Sequence, residues 1–329
     1  MKIIVAVIAI LILPVGNAMV FIESFDESAA LNDALFETFQ NESICYVVFP
    51  PQNNFSNDRL LEYNATYGGA FLDGGYRVIR NVSELEDAIH ECMERNKSIV
   101  VNISAEWMIC PARKGLRIEV SVKSVSNYEG VLRIYIMEVN SRWKDELGRK
   151  YHFSFLEFAS IKNISLKGGE EYYTSLIWSP MENYPDVIKN KNNIAVVAAI
   201  FNKEWHVGYA IPPDERPFKA HYLDGIAFYI PEDTPPYISI VYPRSGHIYV
   251  FGREIMKIKT TIIIGGIVVK IKTWDDHGIE KIELYKDGKF VKELEKNELE
   301  WHGIGYHSLE FIAYDANSMG HDSIKAFLI

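Results

Sequence analysis

The chain has 329 residues, 48% of them hydrophobic and 24% charged, and a formal net charge of −10. That length is enough for two or three domains, and that apolar content excludes an intrinsically disordered chain. The acidity is concentrated at the front, where residues 19–97 hold 14 acidic and 5 basic side chains. With no basic stripe interleaved with aromatics elsewhere, this argues against nucleic acid as a partner and for a soluble surface protein.

The first element is a secretory signal. Met1-Lys2 is a short basic region, Ile3 to Leu13 is apolar, and Gly16-Asn17-Ala18 supplies the small residues that a signal peptidase reads, which places cleavage after Ala18. The apolar run is shorter than the roughly 20 residues that cross a bilayer. An uncleaved interfacial anchor is the alternative. Thr261 to Lys272 is also apolar but short, and Gly265-Gly266 interrupts it. The expected mature protein is secreted or held at the extracellular surface, with no membrane span.

Val20 to Phe25 reads as a buried strand. Asp26 and Glu27 precede Ser28, a natural N-cap for a helix whose apolar face is Leu31, Leu35, Phe36 and Phe39. Ile44 to Phe49 is the next strand, ended by Pro50-Pro51, and Asp58 to Tyr63 is a short helix. Gly69 to Leu72 and Gly75 to Ile79 read as strands joined by a two-residue Asp73-Gly74 turn. Ser83, with Glu86 three residues on, forms a capping box for a helix reaching about Arg95.

This order of strand, helix, strand, helix, strand, strand, helix resembles the thioredoxin-like fold. The run Tyr63-Asn64-Ala65-Thr66-Tyr67-Gly68-Gly69-Ala70-Phe71-Leu72-Asp73-Gly74 is similar to the family segment in which Tyr-Gly leads to a proline and a strand ending in Asp-Gly. Both redox hallmarks are missing. The junction Phe25-Asp26-Glu27-Ser28-Ala29 has no Cys-x-x-Cys, and no proline lies between Tyr67 and Asp73. The resemblance therefore implies a redox-inactive thioredoxin-like domain over residues 19–97 and transfers no catalytic residue.

From Ser98 the period becomes two. Strand-like runs span Ser98 to Trp107, Leu116 to Val125, Val131 to Val139, Phe153 to Ile161, Glu171 to Trp178, Ile194 to Phe201 and Trp205 to Tyr209. They predict an immunoglobulin-like β-sandwich over 98–210. The run Val131 to Trp178, with Gly168-Gly169-Glu170-Glu171, makes the thioredoxin-like-plus-sandwich order similar to a family of secreted and outer-membrane proteins. Residues 211–236 hold six prolines and read as a connector with one strand-like piece, Leu223 to Ile230.

The last part, 237–329, predicts strands at Ile238 to Tyr242, His247 to Phe251, Ile255 to Thr261, Ile267 to Thr273, Ile279 to Tyr285, Phe290 to Leu294, Tyr306 to Tyr314 and Ser323 to Leu328. Asp287-Gly288 is a two-residue hairpin turn. Thr234-Pro235-Pro236, Pro243, Gly246, Asp275-Asp276-His277-Gly278-Ile279, KIELYKDGK and Ala313-Tyr314-Asp315-Ala316-Asn317 resemble the Ig-like modules of secreted bacterial and archaeal enzymes and adhesins. That resemblance implies a spacer, stalk or binding unit. The fold class expected is thus multidomain: an α/β thioredoxin-like domain followed by two all-β immunoglobulin-like sandwiches.

Seven Asn-x-Ser/Thr sequons, at Asn41, Asn54, Asn64, Asn81, Asn96, Asn102 and Asn163, exceed the roughly two that chance would give. Behind a signal peptide they predict a glycoprotein, and together with the resemblances they fit an archaeal setting. Cys45 and Cys92 read as small buried apolar residues. A Cys92–Cys110 bridge closing a short loop is the other reading of that pair, worth about 3 kcal/mol. No spacing supplies a redox pair or a zinc knuckle.

His277, His302, His307 and His321 are scattered over loops and do not converge as zinc ligands do. Asp275, Asp276 and Asp315 read as turn residues, with calcium at a loop end as the alternative. Trp143, Trp178, Trp205, Tyr172 and Tyr173 read as core and cross-strand aromatics, with a carbohydrate-stacking patch as the alternative. No nucleophile elbow, phosphate loop or dinucleotide fingerprint is present. The sequence thus points to a non-catalytic surface glycoprotein with no cofactor, active in recognition, spacing or assembly with a protein or glycan. The alternatives are an extracytoplasmic chaperone-like factor that uses the thioredoxin-like groove and a polysaccharide-binding accessory protein.

Overall fold

The structure is a computed structural model describing residues 19–41, 44–110, 113–232, 234–275 and 277–329, without the side chains of Asn41, Ile109, Cys110 and Arg113. It is mainly β, with 55% strand and 13% helix. The signal segment lies outside the described residues.

The front of the chain forms β1 (Val20–Ser24), α1 (Ala29–Asn41), β2 (Ile44–Val48), α2 (Ser56–Glu62), β3 (Ala70–Leu72), β4 (Arg77–Ile79) and α3 (Leu85–Met93). Ser28 caps α1 as expected, its Oγ accepting from the Leu31 amide at 3.4 Å. Two local expectations are corrected. The β3–β4 connection is four residues, not two, with Asp73, Gly74 and Gly75 all at positive φ. Ser83 lies within a 3-10 turn, Val82–Glu84, that precedes α3, and no side chain caps α3. Glu84 instead accepts from the Arg80 amide.

The middle of the chain forms β5 (Val100–Cys110), β6 (Arg113–Lys123), β7 (Tyr128–Lys144), β8 (Lys150–Leu166), β9 (Glu171–Trp178), β10 (Ile194–Asn202), β11 (His206–Ile211), β12 (Glu215–Ala220) and β13 (Leu223–Tyr229). The expected boundary at residue 97 does not divide the sheet. β4, β3, β1, β2, β8, β7, β10 and β13 form one eight-stranded sheet, joined where β2 runs parallel to β8 at Val48 and Ser154. The predicted connector also shrinks. β12 pairs with β11 as a ribbon and β13 is the sheet edge, so only residues after Tyr229 link to the last part.

The periodicity of β7 explains this layering. Leu132, Ile134 and Ile136 face a core shared with Ile118 and Val120 of the three-stranded sheet β5-β6-β9. Tyr135 and Met137 face the opposite core, with Phe21, Phe49 and Phe155. A strand buried on both faces must be apolar at both parities, as this one is.

The C-terminal part is a sandwich of β14 (Tyr237–Tyr242), β15 (His247–Val250), β16 (Arg253–Lys257), β17 (Thr261–Ile264), β18 (Ile267–Trp274), β19 (Lys281–Lys286), β20 (Lys289–Glu293), β21 (Glu298–Trp301), β22 (Gly305–Tyr314) and β23 (Met319–Leu328). Sheets β14-β18-β21 and β16-β15-β17-β23-β22-β19-β20 enclose Tyr249, Val269, Trp301 and Phe311. The strand expected over Ile255 to Thr261 is two strands. β16 pairs antiparallel with β15 on one edge and β17 parallel with β15 on the other, so the chain must leave the ladder between them. β21 was not expected, because it is short and its exposed glutamates alternate with only two inward residues, half-buried Leu299 and buried Trp301. The sandwich abuts the front of the chain. Trp274 and Tyr237 pack on His152, with ring centroids 4.8 and 5.1 Å away, and Lys272 reaches Glu37 at 2.7 Å.

Candidate functional site

β1 places an acid where a buried strand has no room for one. Glu23 is fully buried and receives Arg59 at both carboxylate oxygens, Nε to Oε1 at 2.8 Å and Nη2 to Oε2 at 2.7 Å. The Tyr135 hydroxyl donates to Glu23 at 3.0 Å, and the Tyr63 hydroxyl donates to it as well. Arg59, Glu62 and Tyr63 fall at i, i+3 and i+4, so one face of α2 and its C-cap residue Tyr63 carry all three. Burial lowers the affinity of Arg59 for its proton, but Glu23 more than offsets this and holds it above its ordinary range. Burial raises Tyr63 and Tyr135, so both stay neutral and donate. Desolvating an ion pair is favourable only when such extra bonds complete it.

Above this network a cleft of about 290 Å³ opens between α2 and the β11–β12 ribbon. Arg133 of β7 forks onto Glu62, at 3.2 and 2.7 Å, and Arg59 Nη1 meets the same carboxylate at 2.6 Å. Burial raises the Glu62 carboxyl, but the two arginines pull it below its ordinary value. The facing wall carries Lys219, whose Nζ lies 5.0 Å over the Trp205 ring, and His221, whose Nδ1 is 2.9 Å from the Asn202 carbonyl. Gly74 closes the inner end. At φ +74° a Cβ there would stand 2.0 Å from the His221 carbonyl, so only glycine fits. Three cations against two carboxylates give this region an electropositive lining on an acidic protein.

The residues singled out from sequence lie elsewhere. Asn54, Asn64, Asn81, Asn96, Asn102 and Asn163 are all exposed, and the Asn41 side chain lies outside the described residues. Asn64 directly follows Tyr63 of the cleft lining, and its amide donates to the Pro217 carbonyl at 3.1 Å. Cys45 and Cys92 are free and buried, and the Cys110 side chain lies outside the described residues, as does Asp276. Burial pushes the Cys92 thiol up to about 12 and Cys45 higher still.

The candidate metal residues each engage a different neighbour. His302 contacts Glu300, His307 contacts Asp287, His321 contacts Glu310, and Asp315 accepts from the Asn317 and Ser318 backbone. Of the aromatics, Trp178 is buried and donates to Glu157 at 2.6 Å, while Trp205, in the loop before β11, and Tyr173, on β9, are exposed. At the β1–α1 junction Phe25 is fully buried, its ring stacked 4.5 Å from Phe49 and edge-on to Tyr67.

The sequence reading missed this cleft. Its one local signal was Glu23 inside an otherwise apolar strand, since a charge there demands a partner. The partners lie 36 to 112 residues away.

No family model matches the chain, and no curated protein does. Among solved structures it is similar to the fibronectin(III)-like modules of Clostridium thermocellum CbhA, at 14% identity and TM-score 0.23, covering 69% of this chain and 94% of that one. It is also similar to a β-glucosidase of Erythrobacter marinus (16%, TM-score 0.22, 38% of this chain and 15% of that one). A third is red sea bream transglutaminase (9%, TM-score 0.22, 80% and 38%). At these scores the likenesses carry no functional argument.

Proposed function

We propose that this chain is a secreted or cell-surface glycoprotein with a non-catalytic role in recognition, spacing or assembly, built on a redox-inactive thioredoxin-like front. The pairing of β1 parallel to β2 and antiparallel to β3, in the order β2-β1-β3-β4, supports that front. The carrying observation is Phe25. Where a working dithiol would meet its substrate, a buried aromatic closes the junction against Phe49 and Tyr67. A thiol exchanger needs an exposed thiolate, and both described thiols are buried and held protonated. The exposed sequon asparagines support the glycoprotein reading. The same closure counts against a chaperone-like groove at Phe25, whereas the electropositive cleft favours glycan binding as the mode of recognition.

Intact-mass analysis of the protein from its native source tests the reading. The expected result is a chain beginning at Met19 and carrying glycan mass, with no turnover in an insulin-reduction assay. An unglycosylated chain retaining residues 1–18, or insulin reduction that is lost in Cys45→Ser, overturns it.

A further inference from the structure

We propose that the cleft binds the carboxylate of an acidic sugar, and that Glu62 is its built-in stand-in. The inference rests on the recognition reading above and names the ligand class. Two guanidinium groups converge on the single Glu62 carboxylate, one of them as a planar fork, which is the arrangement a ligand carboxylate requires. Glu62 ends a seven-residue helix and its side chain is 43% exposed, so it can swing into solvent without opening the core.

The clamp persists without it. Arg59 remains fixed by Glu23, and Arg133 lies over the rings of Phe158 and Phe201 at 5.5 and 5.9 Å. Once Glu62 leaves, Arg59, Arg133 and Lys219 face only Glu23, and the cleft gains a second net positive charge. Lys219 of the cleft wall stands over the half-exposed Trp205 ring, joining a cation to an aromatic face, a pairing suited to a sugar ring that bears a charge. The volume is that of a small ligand, near the lower end of known pockets at about 300 Å³.

Calorimetric titration of the full chain with D-glucuronate is the test. D-glucose, N-acetyl-glycylglycine and inorganic phosphate are the comparison ligands. Wild type should bind glucuronate and not glucose. Glu62→Gln should tighten binding about tenfold by removing the competitor, and Arg133→Gln or Lys219→Gln should weaken it by about tenfold or more. Circular-dichroism melts confirm that each variant is folded, and Lys219→Gln, on the exposed ribbon, does not threaten the core. Absence of saturable glucuronate binding in Glu62→Gln, or no tightening relative to wild type, overturns the proposal. Tighter binding of the peptide or of phosphate overturns the sugar assignment. None of these results bears on glycan mass or signal cleavage, so the cleft can fail while the surface-glycoprotein reading stands.

Discussion

His152 Nδ1 lies 2.8 Å from the Tyr46 hydroxyl, and its Nε2 has no hydrogen-bond partner in a buried site. The ring sits among Phe36 and Phe39 of α1, Phe153 of β8, and Tyr237 and Trp274 of the C-terminal sandwich. A neutral imidazole therefore forms part of the seam between the body and the sandwich. Just outside that shell, Asp33 and Glu37 pair with Arg149 and Lys272.

Burial lowers the His152 pKa from 6.5 to about 3. The unfolded chain takes up a proton near pH 6.5 and the folded chain does not. The stabilisation is therefore complete above pH 6.5 and falls away as the pH drops from there towards 3. Thermal melts from pH 7.5 to 4 should show a steeper loss for wild type than for His152→Phe, by on the order of a few kcal/mol at the acid end. Parallel curves for the two proteins would refute the assignment. The ion pairs of Asp33 and Glu37 with Arg149 and Lys272 are common to both proteins.

The Glu23–Arg59 pair makes a separate prediction. Arg59→Met strands a fully buried carboxylate and should cost about 3–5 kcal/mol in urea denaturation. Tyr135→Phe removes one donor to that carboxylate and should cost roughly 1.5–3 kcal/mol. Combining Glu23→Leu with Arg59→Met leaves no charge to desolvate and should recover most of the loss. A double variant no better than Arg59→Met alone would show that the pair is not the coupled unit described here.

Local signals in the sequence were legible and long-range ones were not. Ser28 before an i, i+4 apolar face, the alternation through LRIEVSVKSV and Asp287-Gly288 each announced a structure that neighbours alone determine. The continuity of the sheet depends on Val48 meeting Ser154, about which no local pattern speaks. Leu223 to Ile230 read as a strand-like piece inside a connector because prolines flank it, yet its pairing with β10 into the sheet is set by register across more than twenty residues. The candidate cleft gathers Arg59, Arg133 and Lys219 from three distant segments, and only Glu23 betrayed it locally.

The two described cysteines should be silent in the native protein. With Cys92 at about 12 and Cys45 higher, the thiolate fraction at pH 8 is roughly one in ten thousand or less, and neither sulfur reaches solvent. Iodoacetamide at pH 8 followed by peptide mass mapping should leave both unmodified in folded protein and label both in 6 M guanidinium. Rapid native labelling of Cys92 would mean that α3 opens far more readily than its packing implies.

Gly320 tests how the sandwich is attached. On β23 it stands opposite Ala313, and a Cβ added there would lie 1.8 Å from the Pro236 carbonyl, backbone that cannot rotate aside. Gly320→Ala should force the end of the linker away from the sandwich and cost about 1–3 kcal/mol, the usual penalty for overpacking. Because Asn140 donates to the neighbouring Pro235 carbonyl at 2.9 Å, the same displacement should loosen the linker from β7. Limited proteolysis reads this directly. Cleavage within residues 230–236 should accelerate in Gly320→Ala and be slower in wild type, and equal rates would mean that the linker does not need the space this glycine leaves.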